Sequence, residues 1–279
     1  VSKVELQTDP IQYSTVLEYG NKKIGYLVYL QFLSSFDDAM RKVFADFKAK
    51  GVNELVLDLR YNGGGYISSS EILSSLIVKN LKPNTLMSRQ EWNAGLTTAF
   101  KNQYGANVFD SNWRNEANNL GTLNRVYILT SQGTASASEL VINNLKPFMD
   151  VILIGDHTYG KNVGSITLSD DKKRWKYGMQ PIVLRTVNAI GESNYGTKDG
   201  FIPTYKVTDN VMPFKPFGDP TETLLKVAIE NITGQPVTLG TSKARVAAAK
   251  DFNVLNKAAL LDTRKYELKD MFIDKFPGQ

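Results

Sequence analysis

Three short apolar runs, at 54–59, 125–130 and 151–155, each end in a turn, and helical patterns follow the first two. Runs this short suit buried strands better than helices, and their alternation with helical segments predicts an α/β fold with a layered sheet. The helix predicted over 69–79 puts Ile72, Leu73, Leu76 and Ile77 on one side, and the one predicted over 136–145 opens on small residues. In sheets of this kind, ligands collect beyond the carboxyl ends of the strands. That rim is therefore the place to look for chemistry.

The other segments fit around this core. Runs at 13–19 and 23–31 flank Gly20-Asn21 and read as a hairpin. Ser35 is placed to cap a helix in which Met40, Val43, Phe44 and Phe47 recur at helical spacing until Gly51 stops it. A strand is expected at 86–90 and a short helix at 95–103. The polar, turn-rich stretch 107–121 reads as a long surface excursion or lid. A β-hairpin extension is expected over 164–188 around the charged turn Asp170-Asp171-Lys172-Lys173, and a helix over 222–232 ending at Gly234. Residues 241–279 read as a basic helical tail with an apolar end at Met271-Phe272-Ile273. The chain thus divides into strands leading in (1–34), a main domain (35–240) and the tail (241–279).

Three candidate groups lie just past strand ends: the glycine turn Gly63-Gly64-Gly65, Ser136 and Lys161. A serine hydroxyl is a weak nucleophile and needs a base. A lysine can supply one only as a neutral amine, a state favoured by removal from water. Tyr159, Val163 and Ile166 are placed to screen the Lys161 amine. Acyl transfer also needs donors for an oxyanion, and two sources are at hand. One is the Ala137 amide, at the positive end of the helix that Ser136 opens; the other is the glycine turn. Composition removes the usual rivals. There is no cysteine, and His157 is the only histidine, so thiol nucleophiles and histidine-rich metal sites are excluded and any Ser-His-Asp triad must use His157. His157 reads as an exposed loop residue, with Asp156 pointing elsewhere. No cofactor or metal is called for.

Each group also has an ordinary reading: a capping serine, a surface lysine, a simple strand-to-helix turn. The glycine run lacks the spacing of a dinucleotide or Walker loop. Glu139 and Asp170/Asp171 read as structural. The net charge of +5 and pI near 9.1 read as a solvated basic surface rather than a nucleic-acid site. No apolar run is long enough for stable membrane insertion, and no signal peptide is visible within this chain, which begins at Val1 rather than methionine. The oligomeric state stays open.

Taken together, the segments 57–65, 134–139 and 155–161 resemble, in order and spacing, the C-terminal processing (tail-specific) serine peptidases, and the resemblance extends over about 24–234. It implies a crotonase/ClpP-like ββα core with Ser136 as nucleophile and Lys161 as general base. Ala137 with Gly64 or Gly65 would form the oxyanion hole. The implied activity is hydrolysis of peptide bonds in protein substrates, often near C-termini, in the periplasm or cell envelope. Ser165 stands where many members carry a glutamine that orients the lysine. Asp156-His157 stands where Glu-Pro is common, and no PDZ module is present in this chain. The alternative is a non-catalytic lipid or retinoid carrier of the same fold. A crotonase-type acyl-CoA enzyme lacks the carboxylates its site would need.

Overall fold

The computed structural model describes residues 8–209, 212–237 and 271–273. Two six-stranded sheets carry the chain. The first uses β1 (Ile11–Tyr19), β2 (Lys22–Tyr29), β3 (Glu54–Asp58), β7 (Arg125–Thr130), β8 (Asp150–Gly155) and β11 (Tyr205–Lys206), in that order. Only β1 is antiparallel to its neighbour; the others run parallel. The expected hairpin and the three apolar strands all lie in this sheet.

Both faces of this sheet are covered, which explains why its strands are apolar without alternation. Leu55, Leu57, Val126 and Ile128 face α1 (Asp37–Ala49), α2 (Ile67–Ile77) and α4 (Ala137–Leu145) in one core. Val56, Tyr127, Leu129 and Ile154 face α5 (Thr223–Thr233) through Leu224, Leu225, Ala228 and Ile229 in the other. Each such buried Leu or Ile contributes about 1.5–3 kcal/mol relative to its exposed state.

The second sheet runs β4 (Gly65–Tyr66), β12 (Met271–Phe272), β9 (Val163–Ser165), β10 (Ile182–Asn188), β5 (Leu86–Trp92), β6 (Asp110–Asn112). β9 and β10 form the expected hairpin, with Ser165 opposite Ile182. α3 (Ala94–Tyr104) follows β5 and packs Phe100 against Trp92.

Three expectations change. Ser35 lies inside a 3-10 turn (Ser34–Phe36), and α1 starts after Phe36 with no side-chain cap. The segment 107–121 is anchored rather than draped on the surface. Phe109, Trp113 and Leu120 are buried, β6 pairs with β5, and Glu116 accepts a two-pronged bond from Arg41. Its few apolar residues are widely spaced, so no period announces them. Finally, Met271-Phe272 form a strand, not a helix end, because β4 and β9 offer backbone partners on both sides. The remaining tail, 241–270 and 274–279, lies outside the described residues. No helix among the described residues is long and apolar enough to cross a membrane.

Candidate active site

β3, β7 and β8 all end on one rim, and the loops beyond them are tied together by backbone bonds. The Asn62 carbonyl accepts from the Ala135 N–H (3.1 Å) and the Ser138 hydroxyl (3.0 Å), which fixes the loop after β3 to the start of α4. Asn62 also donates to the Tyr29 carbonyl (3.0 Å) and accepts the Gly64 N–H (2.9 Å). Thr134 donates to the Leu59 carbonyl (2.8 Å). The glycine turn and the serine loop are therefore one rigid unit.

Ser136 is the residue before α4 and sits at φ 62°, ψ −112°. A non-glycine residue there is strained by about 1–3 kcal/mol, and a sharp strand-to-helix turn is a known way to present a nucleophile. The residue is fully buried, and its hydroxyl makes no hydrogen bond. Ser136 thus occupies the N-cap position of a capping box in which Glu139 accepts its backbone N–H, while its own hydroxyl stays buried beside the helix start. The Ala137 N–H belongs to the first turn of α4, where no intrahelical acceptor exists.

Glu139 organises the site. Its side chain is fully buried and accepts from Ser136 N–H and Lys161 N–H on Oε2, both at 2.8 Å. Oε1 accepts from the Thr158 hydroxyl and the Gly160 N–H, both at 2.6 Å. One oxygen atom thus holds the backbone nitrogens of Ser136 and Lys161 no further apart than twice 2.8 Å. Burial pushes the Glu139 carboxyl above its ordinary range, while bonds from Thr158, Ser136, Gly160 and Lys161 pull the other way. Read from sequence, Glu139 is structural. An acid three residues after a helix-start serine announces a helix N-terminus and nothing more, and the partners at 158–161 come from a distant loop.

That loop is itself pinned. Tyr159 N–H donates to the Thr134 carbonyl (2.9 Å), and Thr158 pairs with Phe201 in both directions, at 3.1 and 2.7 Å. Gly160 has φ 90°, and a Cβ there would lie 1.8 Å from the Thr197 carbonyl oxygen. The close passage of the 197–200 turn therefore demands glycine next to Lys161. Lys161 is part-buried; Tyr159, expected to screen it, is 48% exposed. Ser165 is buried on β9 between Ile182 and Phe272.

The two glycine candidates differ. The Gly64 N–H is already given to Asn62, and its carbonyl accepts from Phe32 N–H (2.9 Å). Gly65, at φ 137°, lies against Phe32, whose carbonyl would be 2.2 Å from an added Cβ. His157 is part-buried rather than exposed. Its Nδ1 donates to the Thr158 carbonyl (2.9 Å), and Asp156 accepts the His157 backbone N–H instead of the ring. No triad geometry forms there.

Residues 23–207 match the family model Peptidase family S41. The chain belongs to peptidase family S41. The match includes the glycine turn, Ser136 and Lys161. Among curated relatives, it is 24% identical to the carboxy-terminal processing protease CtpB of Bacillus subtilis, covering 99% of this chain and 56% of that protein. It is 25% identical to the chloroplastic C-terminal processing peptidase of Tetradesmus obliquus, covering 52% of this chain and 27% of that one. It therefore spans little more than half of the first and about a quarter of the second. Among solved structures, a putative S41 protease from Bacteroides fragilis superposes with TM-score 0.72 at 31% identity, covering 83% of this chain and 59% of that chain. The photosystem II D1 C-terminal processing protease shares the fold, with TM-score 0.54 at 21% identity over 75% of this chain and 50% of that one. The mixed α/β layering is thus the architecture of S41 proteases.

Proposed function

We propose that this S41 member is a serine endopeptidase whose nucleophile is Ser136 and whose general base is Lys161. The observation that carries the reading is the shared Glu139 Oε2, which ties the backbones of both residues to one atom. In the proposed reaction, the Lys161 amine accepts the Ser136 hydroxyl proton as Oγ attacks the substrate carbonyl carbon. The Ala137 and Gly65 N–H groups stabilise the oxyanion. The C–N bond then breaks, the leaving amine takes the proton from Lys161, and water hydrolyses the acyl-enzyme. Gly65 is preferred to Gly64 because the Gly64 amide is already engaged by Asn62. Ser165 is retained as a candidate orienter of the amine. Glu139 is a positioning residue, since it holds backbone and not substrate.

The substrates we propose are proteins cut near their C-termini, as the names of the relatives indicate. The catalytic unit is taken as 35–240, and an extracytoplasmic setting fits the CtpB-like relatives. The test is turnover of casein or a short peptide by wild type and Ser136→Ala. Activity in the wild type that falls by at least about 10³-fold in the variant supports the assignment. Equal rates would return the chain to the non-catalytic carrier reading.

A further inference from the structure

The chain's own strand β12 lies beside the candidate site. β12 sits between β4 and β9 and runs parallel to both, with Met271 opposite Gly65 and Phe272 opposite Tyr66 and Ser165. β4 begins at the candidate oxyanion glycine, and β9 begins two residues after Lys161. Ile273 packs on Ile67 and Leu140, the latter in the first turns of α4 beyond Ser136. It also meets the Trp92–Phe109–Leu184 cluster. Under this arrangement the Ser136 hydroxyl has no accessible surface and no hydrogen-bond partner. Four surface cavities among the described residues, about 280–400 Å³ each, have other linings, such as Arg89/Trp92 or Ile142/Phe201, and none of these four includes Ser136.

We propose that the slot between β4 and β9 is the peptide-binding site and that residues 271–273 fill it in cis, holding the protein latent. The inference rests on the peptidase reading. It adds the occupant, the direction of the bound chain and the apolar character of one subsite. An incoming substrate would run parallel to β4 and β9, completing both backbone ladders as strand-adding peptides do, with an apolar residue in the place of Ile273. The two-residue strand is short enough to be displaced. Without it β4 would detach from the second sheet, and the facing edges of β4 and β9 would lie unpaired.

The test uses the full chain. Phe272→Pro removes a backbone N–H from the middle of the sheet, and Ile273→Asp removes the apolar anchor. Each is compared with wild type in three measurements: binding of a fluorescent synthetic peptide of residues 268–277, casein turnover, and hydrogen exchange at the amides of β9, since the Tyr66 N–H of β4 is held by the Phe32 carbonyl instead. Latency in cis predicts peptide binding and turnover raised at least about tenfold in both variants, with faster exchange in β9, because displacing the occupant raises the competent fraction. Binding is repeated on Ser136→Ala carrying either change. Tighter binding there, with no turnover by any form, leaves the occupied slot standing and removes the peptidase reading. Equal turnover by wild type and both single variants, lost on Ser136→Ala, with no peptide bound, does the reverse. Failure of both variants to fold would make 271–273 a permanent strand and would also overturn the proposal.

Discussion

Ser136 combines backbone angles that L-residues avoid with a buried hydroxyl that bonds to nothing. A capping serine would lose about 0.5–2 kcal/mol on replacement by alanine. Here Ser136→Ala removes an unsatisfied polar group and should instead raise stability by about 1 kcal/mol while abolishing turnover. Urea denaturation reads the difference, and a loss of stability would restore the capping role. Glu139 provides a second prediction. Burial raises its folded pKa above the unfolded value, so its native form holds a proton over a pH window in which the unfolded chain does not. Its contribution to stability must therefore fall as pH rises above about 4.5, the ordinary Glu value, and level off past the folded pKa. The difference in melting temperature between wild type and Glu139→Gln should shrink with pH across that window; a flat difference contradicts the account. The same substitution places an amide NH₂ against backbone donors, and should cut turnover at least about tenfold through a loss of about 1–3 kcal/mol of positioning. At this scale Ser136 and Lys161 were legible as residue types just past strand ends. Glu139's role was not, because three of its four donors come from 158–161 and long-range bonds leave no local pattern.

The elements that hold the site are turns as much as strands. Gly65 and Gly160 each have positive φ and a carbonyl oxygen too close to admit a Cβ. Gly160→Ala should displace the Lys161 loop from Thr197 and lower both stability, by about 1–3 kcal/mol, and activity. Gly65→Ala should do the same through Phe32. Thermal melts with matched kinetics check both, and a stable, fully active Gly160→Ala would show that the loop's position does not matter. The apolar runs 54–59, 125–130 and 151–155 announced their strands because a sheet covered on both faces imposes continuous hydrophobicity. The two-residue strands β4, β11 and β12 are too short to carry any period. The segment 107–121 was misread for a related reason: three buried aromatic and aliphatic anchors hold an otherwise polar stretch.

Across the whole molecule, one buried ion network joins the end of β3 to α5. Arg60, with 3% of its side chain exposed, bonds Asp58 at 2.7 Å and both Asp209 and Glu222 at 2.8 Å, while Tyr26 donates to Asp58 at 2.9 Å. Burial alone would lower the Arg60 pKa, but Asp58 and Glu222 raise it, and the cation persists. Arg60→Met should strand two buried carboxylates and cost about 3–5 kcal/mol, read by denaturant melts. The Arg60 carbonyl accepts the Ser131 hydroxyl, so the residue that centres the network also ties down the loop leading to Ser136. None of this coupling between residues 58, 60, 209 and 222 is visible in local sequence. The central claim remains the alliance of Ser136 with Lys161, and acyl-enzyme trapping tests it most directly. An activated ester is mixed with wild type, Ser136→Ala and Lys161→Ala, and the adduct is mapped by peptide mass spectrometry. The account predicts acylation of Ser136 in the wild type, little or none in Lys161→Ala, and none in Ser136→Ala. An adduct on another residue that turns over in all three proteins would contradict it.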